Sequence, residues 1–215
     1  MNLYRSVDVI NSKAMDPKIE IPSEIAVMIL PETVLFPGGL LPLCIFEPRY
    51  RDMLAAALES HRMFAIALVR SHEEEAFPVG CVGLVRACVM NPDGSAHLML
   101  QGVARVRFVN WLEETSFPQA KVELLHSESS SATKAKTLRA EIVNLSTQLS
   151  EEHEEARRRI KSLSETTRDP AEFCDQVSSA LVGDSVIRQR LLEEPVVETR
   201  LAILAACLSR IVAPD

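Results

Sequence analysis

The chain has 215 residues, of which 47% are apolar and 25% charged, and its formal net charge is −7. This composition is that of an ordinary globular protein, which excludes wholesale disorder, collagen-like chains and small disulfide scaffolds. The acidic balance also disfavours a nucleic-acid-binding protein, because phosphate contacts need a basic surface.

Glycines and aromatic residues are concentrated in the first part of the chain. Six of the seven glycines and nine of the ten aromatic residues lie within residues 1–125. Glycine serves turns and bulges, and aromatic residues favour strands. We therefore expect strands in the first 125 residues and helices in the remainder.

The cysteines and the hydropathy pattern indicate a cytoplasmic protein. The five cysteines are odd in number and show no C-x-x-C spacing, which predicts reduced, mostly buried thiols. No apolar stretch approaches the roughly 20 residues of a membrane span. The first residues lack the order of a signal peptide, so residues 1–21 are predicted to be a mobile or loosely docked leader.

The first predicted elements are two strands, a turn and a helix. Ile25–Leu30 is a short apolar run typical of a buried strand, and Leu35–Gly39 has the composition of a tight turn. Leu41–Phe46 is a second extended segment, in which Pro42 indicates an edge position. Helical spacing of apolar residues over 47–58 predicts a helix of three turns.

Further strands are predicted up to residue 125. Gly102 suggests a bulge or corner between two of them, and an Asn-Pro-Asp-Gly sequence at 91–94 predicts a turn. About six short strands around one helix favour a small, curled, barrel-like sheet. The additional strand segments are Phe64–Val69, Val79–Met90, Ala96–Leu100, Val103–Trp111 and Ala120–Leu125.

The remainder of the chain has a helical pattern. Residues 127–133 are serine-rich and form the natural boundary. A narrow apolar stripe then predicts one long helix over roughly 133–164, which should lie across another part of the molecule. Three shorter helices follow, the first beginning at Asp169-Pro170 and the second capped by Asp184 or Ser185. We expect this region to pack partly on the barrel.

No local motif for catalysis or cofactor binding is present. The sequence lacks a phosphate-binding P-loop, a dinucleotide-binding glycine motif and a nucleophile elbow. His72 with the three glutamates that follow it is better explained as a solvated acidic loop than as a metal site. We therefore predict no catalytic residue, no metal and no cofactor. A Ser/His/Asp arrangement assembled only in space stays open.

The segment from Pro22 to Leu58 carries a long ordered motif. Its parts are V-L-F-P-G-G at 34–39, L-P-L at 41–43 and I-F-E-P-R-Y at 45–50. This order closely resembles the opening of the Lon protease N-terminal, substrate-binding domain. Residues 100–108, with Gly102 and Arg105, resemble the Gly-x-x-Arg strand pair of the same family. The resemblance covers roughly residues 22–212.

The resemblance implies an α+β fold, with a PUA-like small β-barrel containing one helix and then an all-α bundle led by the long helix. On this basis we assign the leader to residues 1–21, the barrel to 22–126, the joint to 127–133 and the helical subdomain to 134–215. Lon proteases carry ATPase and Ser-Lys protease modules after this domain. Because this sequence has neither, we expect a free-standing, non-catalytic module.

The resemblance also implies a role in recognising protein segments. The expected partners are unfolded or extended protein segments, and a separate ATP-dependent protease is a further candidate. No membrane partner is expected, and the oligomeric state stays open. The alternatives are a small-molecule or RNA-binding PUA-like module and an unrecognised hydrolase.

Two groups of motif residues are distinguished. A peptide would bind on the barrel surface near 36–43, or in a cleft between the barrel and the long helix. For Phe36, Pro37, Gly38, Phe46 and Tyr50 the alternative is that they hold the fold together, which is favoured because apolar motif residues are usually in the core. The predicted peptide-binding residues are Phe36, Pro37, Leu40, Leu41 and Leu43. The predicted structural residues are Gly38, Phe46, Glu47, Arg49, Tyr50, Gly102 and Arg105. For Glu47 and Arg49 the candidate partners are each other, Arg51, Arg105 and Arg107.

Overall fold

The computed structural model describes residues 19–70, 75–113, 115–149 and 154–212. Within them the fold is α+β, as predicted, and most of the predicted leader and of the acidic loop at 72–75 lies outside them. The strands are β1 (Glu24–Leu30), β2 (Leu40–Ile45), β3 (Met63–Leu68), β4 (Val79–Met90), β5 (Ala96–Trp111) and β6 (Gln119–Leu124). The helices are α1 (Pro48–Glu59), α2 (Ala132–Thr147), α3 (Glu154–Thr166), α4 (Pro170–Leu181), α5 (Ser185–Glu193) and α6 (Val197–Val212).

The strands form a ring with one additional strand at its margin. Their order is β2-β5-β4-β3-β1-β6, and β5 also pairs with β6, which closes five strands into a ring. The β1–β3 pair is parallel and the other pairs are antiparallel. Strand β2 pairs only with β5 and is therefore an edge strand. We refer to the ring, β2 and α1 together as the barrel.

Strand β5 is continuous where the sequence predicts two strands separated at Gly102. The pairing with β4 shifts at this point, since Val82 lies opposite Ala104 and Gly83 opposite Gly102. Val103 is thus the extra residue of a β-bulge, which bends the strand without ending the ladder. The predicted bulge is confirmed, and the break between two strands is wrong.

The two faces of the ring are buried in different ways. All five ring strands contribute to one apolar cluster, which includes Val27, Ala65 and Val106. Alternate residues such as Phe64 point to the opposite face and form a larger cluster with α1 and α5. Leu191, near the end of α5, is fully buried in that second cluster. The helical region, α2–α6, therefore packs partly on the barrel, as expected.

The predicted long helix is wrong, because the segment forms the two helices α2 and α3. The Arg139 side chain in α2 donates hydrogen bonds to the main-chain oxygens of Ser164 and Arg168, at 2.7 and 2.9 Å. In one straight helix, residues 139 and 164 would lie about 38 Å apart along the axis. The antiparallel arrangement instead brings Ile142 and Ile160, both fully buried, into one core with α4 and α6.

Local capping signals position the following helices. The Asp169 side chain accepts a hydrogen bond from the Ala171 N–H group at the start of α4, and Pro170 occupies its first turn. Asp184 accepts from the N–H groups of Val186 and Ile187 at the start of α5. Both helix starts were predicted from these residue types.

The serine-rich segment contacts the last helix. Glu128 forms a parallel bridge with Val196, and the Glu198 carboxylate accepts hydrogen bonds from the Ser129 hydroxyl and from the Ser131 N–H group, at 2.7 and 2.8 Å. Helix α2 begins at Ala132, inside the predicted joint. The residue bounds of the two subdomains stay predictions.

Candidate functional site

Strand β2 presents an apolar outer surface. Leu41 and Leu43 are half-buried and pack against the barrel core. The alternate residues Leu40, Pro42 and Cys44 are exposed. Because strand side chains alternate between the two faces of a sheet, these three share one face, which points away from the core.

Neighbouring strands extend this surface. In β5, Met99 lies opposite Pro42 and His97 lies opposite Cys44. Ala87 and Val89 of β4 lie opposite the same two β5 residues. A shallow depression of about 480 Å³ crosses the three strands, and no Lys, Arg, Asp or Glu lines it.

Several large apolar side chains remain uncovered here. Leu40 is 62% exposed, Val89 is 65% exposed, and Phe46, which continues the alternation just after β2, is 67% exposed. Single exposed apolar residues are normal, but a contiguous group is typical of an interaction surface. We call this surface the outer face, and it comprises Leu40, Pro42, Cys44, Phe46, Ala87, Val89 and Met99, with the exposed His97 between Val89 and Cys44.

The outer face adjoins an open strand edge. The Gly102 N–H group donates to the Gly39 carbonyl oxygen at 2.9 Å, which fixes the hydrogen-bond alternation along β2. That alternation directs the main-chain groups of Leu40, Pro42 and Cys44 away from β5. Pro42 has no N–H group and so fits the open edge, as predicted. No other strand of the described residues pairs with this edge.

The predicted peptide-binding residues do not form one surface. Phe36 is fully buried and therefore belongs to the core. Pro37 is half-buried at a different cleft. Of the remaining three, Leu40 is exposed, whereas Leu41 and Leu43 are half-buried against the core. Leu40 thus offers the largest free apolar surface of the predicted set.

The motif glycines hold the turn before β2 against the barrel. Gly38 has a φ of +76°, a conformation that favours glycine. The Gly38 N–H group donates to the Gly102 carbonyl oxygen at 2.9 Å. A Cβ atom added to Gly102 would lie 2.1 Å from the Phe36 carbonyl oxygen. The turn and β5 therefore approach too closely for a side chain at position 102.

The charged residues at the end of the motif lie exposed on the barrel surface. Arg49 and Glu47 form an exposed ion pair with a nitrogen–oxygen distance of 3.0 Å, and the Arg49 guanidinium lies 4.5 Å from the centre of the Tyr50 ring. The buried Tyr50 hydroxyl donates to the Ile29 carbonyl oxygen at 3.0 Å. Phe46, predicted to hold the fold together, is instead exposed on the outer face.

Arg105 belongs to a buried charged cluster between the barrel and the helices. It donates to the Asp175 carboxylate from Nη1 at 2.7 Å and to the Leu192 carbonyl oxygen from Nε at 3.1 Å. Arg200 donates to the same carboxylate at 2.9 Å and to the Ser127 hydroxyl at 2.7 Å. We call Arg105, Asp175 and Arg200 the charged junction.

The charged junction is a structural feature. Its three side chains are at most 5% exposed, and they connect β5, α4 and α6. Burial, and then the nearby Arg105, lower the pKa of the Arg200 guanidinium from its ordinary value. Sequence reasoning identified Arg105 but missed both partners, because Asp175 lies 70 residues away and has no local signal.

A second concave region lies between the barrel and α4. This cleft has a volume of about 640 Å³ and is lined by Pro37 and Gly38 on the barrel side and by Ala171 and Glu172 of α4. The prediction placed such a cleft beside the long helix. In the structure the cleft faces α4, and no residue of 133–164 lines it.

The cysteines are in three different environments. Cys81 and Cys174 are fully buried, and burial raises the pKa of each thiol to about 12. Thiols with so high a pKa are poor nucleophiles at neutral pH. Cys44 is exposed, and Cys88 and Cys207 are half-buried. The prediction of buried thiols is confirmed for Cys81 and Cys174 and is wrong for the exposed Cys44.

The described residues contain no group of three or more His, Cys, Asp or Glu side chains placed to hold a metal ion. Within the same ranges, no helix is long and apolar enough to span a membrane.

The model of the "ATP-dependent protease La (LON) substrate-binding domain" family matches residues 24–210. Curated relatives include Lon protease of Desulfosudis oleivorans, which is 22% identical over 196 residues that cover 88% of this chain and 24% of that protein. Lon protease 2 of Herpetosiphon aurantiacus is 26% identical over 87% of this chain and 24% of that protein. The chain thus spans about a quarter of the length of these relatives.

Solved structures share the fold. The N-terminal domain of Mycobacterium avium complex Lon protease superposes with a TM-score of 0.71 at 21% identity, covering 86% of this chain and 98% of that one. A Lon N-terminal domain protein from Xanthomonas campestris superposes with a TM-score of 0.62 at 20% identity and the same coverage.

Proposed function

Because the chain belongs to the family of Lon substrate-binding domains, whose model matches residues 24–210, we propose that it is a binding module for extended segments of other proteins. The site of binding is the outer face and the open edge of β2. The observation that carries this proposal is the group of large apolar side chains, Leu40, Phe46 and Val89, left exposed beside an unpaired strand edge.

An extended peptide contacts the outer face and the open edge of β2 at the same time. Its main chain pairs with the free main-chain groups of Leu40 and Cys44, as an added strand would. Its alternate side chains then lie over the depression beside Met99 and Val89. Because no Lys, Arg, Asp or Glu lines the depression, apolar residues of the bound segment are favoured over acidic or basic ones.

The proposed module binds without cleaving. Hydrolysis belongs to the whole Lon proteases, of which this chain spans about a quarter. Within the proposal, a separate cytoplasmic ATP-dependent protease is the partner that receives the bound segment. The matched family is the substrate-binding domain of an ATP-dependent protease, which supports a protease of this class as the partner.

A peptide array with matched variants tests the proposal. The readout is binding of the full chain to extended apolar peptides and to the same peptides with charged substitutions. Leu40→Glu and Phe46→Ser should each weaken binding about tenfold or more, which corresponds to about 1.4 kcal/mol. Val186→Glu is the control, since Val186 is 64% exposed on α5, outside the outer face.

Three outcomes would overturn the proposal. The first is equal binding by all variants, and the second is no preference for extended over folded proteins. The third is cleavage of unfolded casein by the purified chain without ATP, which would favour the hydrolase alternative. Salt-sensitive binding of structured RNA with no peptide binding would favour the nucleic-acid alternative.

A further inference from the structure

A third concave surface lies on the helical region, away from the outer face. This groove has a volume of about 670 Å³ and runs between α2 and the corner that joins α3 to α4. Its walls combine small or apolar residues with three cations and contain no Asp or Glu. We call it the basic groove. Its defining residues are Ala132, Lys136, Arg139, Ala140, Val143 and Arg168.

One of the three cations is held rigidly. The Arg139 guanidinium donates to the main-chain oxygens of Ser164 and Arg168 and lies 4.7 Å from the centre of the Phe173 ring. These partners are neutral, so the positive charge is not compensated by them. A guanidinium fixed in advance loses little conformational freedom when a ligand arrives.

The other two cations are free to contact a partner. Lys136 and Arg168 are exposed, and neither forms an ion pair with a carboxylate of the described residues. Asp169, next to Arg168, faces the other cleft and accepts the N–H bond that caps α4. The basic groove therefore carries a local excess of positive charge, although the net charge of the whole chain is −7.

We propose that the basic groove binds an acidic segment of a partner protein. Carboxylates of that segment pair with Lys136 and Arg168, while Arg139 contributes its fixed charge to the groove floor. Small apolar residues of the same segment lie against Ala140 and Val143. This partner is distinct from the apolar segment assigned to the outer face, so the chain carries two sites of opposite chemistry.

The charge pattern favours a peptide over a nucleic acid. A nucleic acid draws its affinity from many phosphate contacts along a strand. The groove supplies three cations, and the remainder of the molecule is acidic. A short acidic peptide meets the three cations of the groove, whereas a nucleic acid would also extend over other parts of a molecule whose net charge is −7.

A binding titration with three probes tests the inference. The probes are short peptides of alternating glutamate and alanine, of glutamine and alanine, and of lysine and alanine. The full chain should bind only the first, and binding should weaken as salt rises. The double variant Lys136→Glu/Arg168→Glu should lose about tenfold or more in affinity. The milder pair Lys136→Gln/Arg168→Gln should lose less, and helix content followed by circular dichroism should stay unchanged.

A charge-matched control separates the groove from general electrostatics. Arg159→Glu/Lys161→Glu makes the same change in net charge on exposed positions of α3 that do not line the groove, and it should leave affinity within about twofold. Equal loss in both double variants would overturn the proposal, as would no binding of the glutamate peptide. Tighter, groove-dependent binding of an oligonucleotide would also overturn it. Leu40→Glu should leave this binding unchanged, so the failure of one site is distinguishable from the failure of the other.

Discussion

The charged junction and the outer face invert the usual distribution of residues. The junction buries two arginines and one aspartate between the barrel and the helices, whereas the outer face leaves leucine, phenylalanine and valine in water. Burial of a charge is costly unless the charge is paired, and both arginines of the junction donate to the one Asp175 carboxylate within the chain. The outer face has no such internal partner among the described residues.

This difference separates residues that stabilise the fold from residues that we propose bind a partner. A buried group that finds its partners inside the molecule is explained by the fold. For the exposed apolar surface beside the open strand edge, the proposed explanation is a partner outside the molecule. Substitutions at the junction should therefore change stability, and substitutions on the outer face should change binding.

The largest effect is expected at the junction. Asp175→Ala leaves Arg105 and Arg200 buried without their carboxylate, and should lower the free energy of unfolding by about 3–5 kcal/mol. Urea denaturation followed by circular dichroism measures this loss. Asp52→Ala, at an exposed position of α1, is the control and should change stability by less than about 0.5 kcal/mol. A loss below about 1 kcal/mol at Asp175 would contradict the assigned role.

A smaller loss of stability is expected from a substitution where the turn before β2 contacts β5. Gly102→Ala introduces a Cβ atom against the Phe36 carbonyl oxygen, and the resulting displacement should cost about 1–3 kcal/mol. Gly183→Ala is a matched control because a Cβ atom there would have no neighbour within 4 Å. Thermal unfolding of both variants compares them directly. Equal melting temperatures for the two variants would show that the turn moves away from the new Cβ atom without a loss of stability.

The contact between the serine-rich segment and α6 is expected to make a pH-dependent contribution to the free energy of unfolding. Hydrogen bonds from the Ser129 hydroxyl and the Ser131 N–H group lower the pKa of the Glu198 carboxyl from 4.5 to about 2. The stabilisation is therefore complete above pH 4.5 and is lost as the pH falls towards about 2. The difference in unfolding free energy between the native chain and Glu198→Gln should shrink over this interval.

The control for Glu198→Gln is Glu165→Gln, at an exposed position of α3. The stability difference for this variant should stay small and constant over the same pH range. A Glu198→Gln difference that does not change with pH would contradict the assigned hydrogen bonds.

The smallest effect on stability is expected on the outer face. Leu40→Glu replaces a side chain that is 62% exposed, so unfolding free energy should change by less than about 0.5 kcal/mol. The same variant should lose peptide binding. A large loss of stability would show that Leu40 has an internal partner and would remove the contrast with the junction.

Local signals made much of the fold predictable from sequence. Pro42 indicated an edge strand, Asp169 and Asp184 indicated helix starts, and the two glycines at 38 and 39 indicated the turn before β2. Each of these residues acts through its own backbone or its immediate neighbours, so no knowledge of distant contacts is required. The motif resemblance then provided the arrangement of these elements.

The errors came from long-range contacts. The apolar stripe continues from α2 into α3 without a glycine or proline between them, so nothing local predicted the reversal. The junction required Asp175 and Arg200, which meet Arg105 only in the folded chain. Phe36 was placed in the binding site by its motif, whereas its burial depends on packing from α1 and the sheet.

Mapping of main-chain amide signals by NMR tests the central claim most directly. An extended apolar peptide is added to the isotope-labelled full chain, and chemical-shift changes are followed residue by residue. The account predicts changes at Leu40, Cys44 and Phe46 and at Met99 on the adjoining strand. Changes confined to the α4 cleft, around Ala171 and Glu172, or no changes at saturating peptide, would contradict it.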